Sequence, residues 1–224
     1  MEQVNEGKSL QIAILLYDGM TALDAIGPYE VLQAPGLKTD VRFVATERGI
    51  KRIDFGKLRL TADYSLDETL RPDILLIPGT PYPQAVMGDP KVIEWIRQAH
   101  KTTKWTTSVC TGALALAAAG VLQGLQATTH WLAIDVLKQF GAIPTKERVV
   151  RQGKVFTAAG VSSGIDMALT LVAIEFGAEA AQLTQLLIEY DPHPPFNAGS
   201  PDKAPAAIVN AAREGFAKLQ ATSE

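Results

Sequence analysis

The chain has 224 residues, which suits one large α/β domain better than two small ones. Hydrophobic residues make up 47% and charged residues 20%, so the chain can bury a substantial core and does not read as disordered. A formal charge of −3 with scattered Lys and Arg offers no basic field for nucleic acid, and a single cysteine excludes an internal disulfide or a multi-cysteine metal site.

Residues 1–10 are polar and lack the apolar run of a secretory signal, so they are expected as an N-terminal extension before one domain over residues 11–224. Gln11–Tyr17 (QIAILLY) is a continuous apolar run, the pattern of a central parallel strand buried on both faces. Helical spacing follows through Leu23, Ile26, Val31 and Leu32, with Pro28 near enough to the start to be tolerated. Asp40–Thr46 predicts a second strand, and Ile53–Tyr64, centred on Gly56, predicts a hairpin.

Asp73–Ile77 (DILLI) is another buried strand, stopped by Pro78-Gly79. Asp89-Pro90 then opens a helix, with Asp as cap and Pro at the first position. The strand Trp105–Val109 runs into Cys110-Thr111-Gly112 and an Ala/Leu-rich helix too short to span a bilayer. Trp131–Phe140 is amphipathic and stops at Gly141. A second hairpin pairs Glu147–Val150 with Val155–Thr157. Helices are expected over Ser162–Phe176, Glu179–Tyr190 and Ala206–Leu219, the last after a proline-rich segment. Alternating strands and helices predict an α/β fold whose mostly parallel sheet is covered on both faces.

Cys110 sits where a buried strand ends and a helix begins, the geometry of a nucleophile elbow, and Gly112 and Ala113 leave room for the turn. Helix N-terminal N–H groups beside the sulfur favour an anion, so a reactive thiolate is expected there. A lone cysteine is otherwise most often a buried structural residue; the strand–turn–helix context favours chemistry.

A thiolate needs a partner that moves protons. His100 reads as a surface residue late in a helix, and His193 lies between prolines in a loop. His130 is the one histidine suited to act as a base, although capping or packing beside Trp131 accounts for it better. Asp24 interrupts an apolar stretch just after the first strand, where a carboxyl group could approach the elbow and be partly desolvated. A helix-capping aspartate explains Asp24 equally well from this segment alone. Pro78-Gly79-Thr80 is a third strand-end turn whose N–H groups could hold developing negative charge.

Five motifs in order carry a resemblance: Leu23-Asp24-Ala25-Ile26-Gly27-Pro28, Ile77-Pro78-Gly79, Ser108-Val109-Cys110-Thr111-Gly112, Ala127-Thr128-Thr129-His130-Trp131, and residues 194–201 (PPFNAGSP). Together they resemble the ThiJ/PfpI family of the class I glutamine amidotransferase-like superfamily, from about Gln11 to the last helix. The lone cysteine and the lack of a signal-like or membrane-length apolar run point to the cytoplasm. The resemblance implies a flavodoxin-like three-layer sandwich, a homodimer, and a small-molecule substrate handled without metal or organic cofactor. It implies Cys110 as nucleophile, Asp24 as general acid/base, Thr111 as a positioning neighbour, and the Gly79–Thr80 backbone as an anion-binding turn. Aspartate at the acid position and threonine after the nucleophile favour the branch that hydrates isonitriles to N-substituted formamides through a thioimidate. Amide hydrolysis, glyoxalase or deglycase chemistry, and redox or ligand sensing are the alternatives. The chain departs from the hydratase pattern at Thr80-Pro81, where a second glycine is usual, and at Ala158-Ala159 in a segment otherwise rich in glycine.

Overall fold

The computed structural model describes residues 9–221, so residues 1–8 of the expected extension lie outside it. In chain order the first elements are strand β1 (Leu10–Leu15), helix α1 (Ala22–Leu32), β2 (Thr39–Ala45), β3 (Gly49–Ile53), β4 (Leu58–Ala62), β5 (Tyr64–Ser65) and β6 (Ile74–Ile77). Helices α2 (Gln84–Met87) and α3 (Pro90–Thr102), strand β7 (Trp105–Val109) and helix α4 (Gly112–Ala118) follow. The remainder comprises β8 (Gln126–Ala127), a 3₁₀ helix over Trp131–Phe140, β9 (Ile143–Pro144), β10 (Val149–Gln152), β11 (Val155–Ala158), α5 (Ser163–Phe176), α6 (Ala178–Leu187) and α7 (Ala206–Ala221).

Seven strands form the central sheet in the order β10-β11-β7-β6-β1-β2-β5. All pair parallel except the β10–β11 hairpin at one edge. The buried residues of β1 alternate between two cores, as a strand's two-residue period requires. Ala13 and Leu15 join Leu75 and Ile77 beneath α3 and α4, while Ile12 and Ile14 join Ile74 and Leu76 beneath α1 and α5. This is the expected three-layer α/β sandwich. Each aliphatic side chain withdrawn from water contributes about 1.5–3 kcal/mol, so the strands that carry the loops are the firmest part of the molecule.

Strand order reverses between β1 and β6, because the chain adds β2 and β5 on one side of β1 before crossing to the other. In open parallel sheets the crevice at the strands' carboxyl ends lies at such a switch point. The loops after β1, β6 and β7 all emerge there.

Several local expectations hold. Asp89 caps α3, its carboxylate accepting from the N–H groups of Lys91 at 2.9 Å and Val92 at 3.4 Å. Pro28 sits inside α1 without ending it. Others shift. The first hairpin begins at Gly49 rather than Ile53, with Ile53 paired to Leu58 as the last residue of its strand. Its inward positions begin with Gly49 and Lys51 while Ile50 faces solvent, so no one-sided apolar pattern marks its start. Trp131–Phe140 forms a 3₁₀ helix, which suits the spacing of three between Trp131, Ile134, Leu137 and Phe140, since residues three apart eclipse in that helix. His100 is half-buried rather than on the surface, with Nδ1 2.9 Å from Thr106 Oγ1.

Candidate active site

The elbow after β7 depends on small residues in contact with the neighbouring strand end. Cys110 has φ +56°, a left-handed conformation that costs about 1–3 kcal/mol for a residue with a Cβ. Its backbone is held on both sides: the N–H donates to Ala158 O at 3.0 Å and Ala159 O at 2.8 Å, and the carbonyl accepts from Thr129 Oγ1 at 2.8 Å. Gly112 is required because a Cβ there would lie 2.0 Å from Ile77 O. Gly79 is required because its Cβ would meet Thr111 N at 2.5 Å and Cys110 Cβ at 2.9 Å. The β6 and β7 loops therefore touch backbone to backbone.

Asp24, in the first turn of α1, is wholly buried and reaches this contact. Its Oδ2 accepts from Gly79 N–H at 2.8 Å, while Oδ1 has no well-formed hydrogen bond. The turn between β3 and β4 supports that helix end: Asp54 Oδ1 accepts from Ala22 N–H at 2.9 Å, and Asp54 N–H donates to Met20 O at 3.0 Å. A small cavity of about 100 Å³ opens beside it, lined by Gly19, Met20, Thr21, Asp54, Phe55 and Pro81.

Burial controls the electrostatics. It is the largest influence on Asp24, raising its carboxyl to about 7 against the opposing pull of the Gly79 N–H and the Cys110 thiol. Cys110 is pushed up to about 12, first by burial and then by the charge on Asp24. N–H groups of Thr111 and Val161 point at the sulfur and oppose that shift without overcoming it. Burial therefore works against the thiolate expected from the helix start. Helix α4 spans only seven residues, and its terminal dipole does not offset desolvation. The thiol and the carboxyl group form one buried pair, in which the hold of each group on its proton depends on the other.

The amides of the expected anion-binding turn both have partners within the chain. Gly79 N–H is committed to Asp24, and Thr80 N–H donates to Thr111 Oγ1 at 2.7 Å. Thr111 Oγ1 in turn donates to Thr80 O at 2.6 Å, and Thr80 Oγ1 donates to Gly19 O at 2.8 Å. Neither turn amide is left free for an oxyanion. Thr80 instead joins three loops, its backbone bonding Thr111 and its side chain adding the link to Gly19 that a glycine would lack.

The structure thus brings Cys110, Asp24, Thr111, Gly79 and Thr80 together. It leaves the histidines outside. His130 caps the 3₁₀ helix, its Nδ1 accepting from Leu132 N–H at 3.4 Å, and its ring packs against Gly160. Burial lowers its pKa, so it stays neutral. His193 is exposed in its loop. Sequence reasoning missed Tyr17, whose hydroxyl donates to Pro78 O at 2.8 Å, and Thr129, which braces the Cys110 carbonyl. Tyr17 looked like the end of a strand, and its reach across the crevice had no local signal. Among the described residues no group of three or more His, Cys, Asp or Glu side chains could hold a metal ion.

Known proteins are similar to this chain in sequence and in fold. Isonitrile hydratase from Pseudomonas putida is 42% identical over 207 residues, which is 92% of this chain and 90% of that protein. The HTH-type transcriptional regulator CdhR from Pseudomonas aeruginosa is 29% identical over 55% of this chain, and the match covers 37% of the regulator's length. A crystal structure of a ThiJ/PfpI family protein from Pseudomonas syringae superposes with a TM-score of 0.91 at 37% identity, covering 97% of this chain and 90% of that one. Residues 10–174 match the DJ-1/PfpI family profile. The chain belongs to the DJ-1/PfpI family.

Proposed function

We propose that the protein hydrates isonitriles, R–N≡C, to N-substituted formamides, with Cys110 as nucleophile and Asp24 as the group that moves protons. One observation carries the reading: a buried thiol and a buried carboxyl group face the same point, while both turn amides are committed elsewhere. Hydrating an isonitrile places a nucleophile and a proton on one carbon, so donor and attacking atom must converge on it. Amide hydrolysis instead develops an oxyanion early and needs free donors to hold it. The 42% identity to the Pseudomonas putida isonitrile hydratase supports the same substrate class.

In the first step the Cys110 sulfur bonds to the terminal carbon. The thiol proton passes to Asp24 and from there to that carbon, giving a thioimidate, R–N=CH–S–Cys. The Thr111 and Val161 N–H groups steady the sulfur while it carries charge. In the second step the Asp24 carboxylate takes a proton from water as hydroxide adds to the carbon, and passes it to the nitrogen, giving R–NH–CH(OH)–S–Cys, whose hydroxyl proton Asp24 next collects. The C–S bond then breaks, the sulfur regains its proton through Asp24, and R–NH–CHO leaves. One carboxyl group working in both directions needs a pKa near working pH, and about 7 meets that need. Thr111 positions the elbow through its paired bonds to Thr80.

A redox-sensing role is less favoured, because oxidation starts from an exposed thiolate and Cys110 is a buried thiol. The test is turnover of cyclohexyl isonitrile and methylglyoxal side by side. The expected result is loss of isonitrile with formamide released, little activity on the aldehyde, and none in Cys110→Ala. Turnover of methylglyoxal alone would replace this reading with the glyoxalase one.

A further inference from the structure

We propose that Tyr17 is a positioning residue that steers the proton of the Cys110–Asp24 pair through the Pro78–Gly79 peptide group. The inference rests on that pair acting as described above. Tyr17 lies just beyond β1, and its hydroxyl donates to Pro78 O at 2.8 Å. The N–H of the same trans peptide unit, that of Gly79, donates to Asp24 Oδ2 at 2.8 Å. The phenol, one peptide group and the carboxyl group therefore form a single directed chain. A donor on the carbonyl draws electron density from the nitrogen, making the N–H on the opposite edge a stronger donor. A stronger Gly79 N–H favours the ionised carboxylate, since hydrogen bonds to the charged form stabilise it.

Two features make the chain one-way. Pro78 has no N–H, so this turn offers Asp24 only the amide that Tyr17 polarises. The phenol keeps its proton throughout, because burial and the nearby Asp24 and Cys110 hold its ionisation well above the usual range. The titratable groups acting on Asp24 are Cys110 from the elbow, Asp54 from the β3–β4 turn, and Tyr17 through the peptide. Asp54 acts by charge and raises the carboxyl, whereas the Gly79 bond lowers it. Removing the phenol hydroxyl weakens that opposing pull, so Asp24 would bind its proton more tightly.

The experiment compares the wild-type protein with Tyr17→Phe and with 3-fluorotyrosine incorporated at position 17, whose hydroxyl is the stronger donor. Asp24 is followed by ¹³C NMR of labelled aspartate carboxyl groups, assigned by its loss in Asp24→Asn. In parallel, kcat/KM for cyclohexyl isonitrile is measured against pH. In Tyr17→Phe the carboxyl titration and the acid limb of kcat/KM should both move up by about half a pH unit, with fluorotyrosine moving both down. That corresponds to about a threefold loss of activity below the inflection, recovered at higher pH. An unmoved Asp24 titration in both variants, or activity lost equally at every pH, would overturn the relay in favour of a packing role. A shifted carboxyl in a protein that turns over no isonitrile would support the relay and refute the substrate reading instead.

Discussion

Burial makes the charged forms of both Cys110 and Asp24 costly, and the charge on Asp24 adds to the cost at the sulfur, whereas the Cys110 thiol favours the Asp24 carboxylate. This arrangement has a thermodynamic consequence. The Asp24 carboxyl rises from 3.8 to about 7 on folding, so the folded state binds its proton more tightly than the unfolded chain. Its contribution to stability is therefore fully present below about pH 4 and is lost as pH rises through about 7. Asp24→Asn keeps an acceptor for Gly79 N–H and removes the charge. Thermal unfolding should show this variant more stable than wild type at pH 8, by on the order of 2–4 kcal/mol, with the gap closing toward pH 4. Its turnover should fall by about 10²-fold or more. Equal unfolding temperatures at both pH values would place the carboxyl in water. The strand, Cys-Thr-Gly and helix order pointed to Cys110 as a site residue. Its protonation state was not legible, because it depends on burial by segments distant in the chain and on α4 stopping after seven residues.

The elements matter through where they end. The turns after β6 and β7 meet only because Gly79 and Gly112 lack side chains, and the two positions differ in what a Cβ would strike. At residue 112 the obstacle is a strand carbonyl at 2.0 Å, which cannot move without breaking the sheet. At residue 79 it is the Thr111 amide at 2.5 Å, in the turn that opens α4 rather than in the sheet. Gly79→Ala should therefore fold, destabilised by about 2–3 kcal/mol, with kcat falling far more than the folded fraction. Gly112→Ala should fail to give folded protein. Denaturant unfolding alongside kcat measures both, and wild-type activity in Gly79→Ala would refute the close packing of the turns. The strands were legible from contiguous apolar runs such as Asp73–Ile77. The hairpin start at Gly49 was not, because its inward positions there hold Gly49 and Lys51 while Ile50 faces outward, so the apolar alternation is out of phase with burial. The use of the Gly79 and Thr80 amides was also hidden, since Pro-Gly marks a turn without saying what its N–H groups meet.

At the scale of the whole molecule, topology gathers distant residues: Tyr17, Asp24, Gly79 and Cys110 all lie beyond the carboxyl ends of β1, β6 and β7 at the switch point. Alternating elements made this architecture readable from the chain, whereas the far surface was not. No residue of α7 is buried, and Leu183, Leu186 and Leu187 of α6 are exposed together with Phe196 and Ile208. Family resemblance implies a homodimer, and we propose that a second copy covers part of this surface. Sedimentation should give twice the 24.0 kDa chain mass, reduced to a monomer by Leu186→Glu together with Phe196→Glu. A monomer at high micromolar concentration would exclude that arrangement. No helix among the described residues is long and apolar enough to cross a membrane.

The most direct measurement is intact mass spectrometry of the protein acid-quenched during turnover of an isonitrile. A covalent route through Cys110 predicts a transient species heavier by one whole isonitrile molecule, mapped to the peptide containing Cys110 and absent from Cys110→Ala. Formamide release with no such adduct at any time, or undiminished by Cys110→Ala, would contradict it.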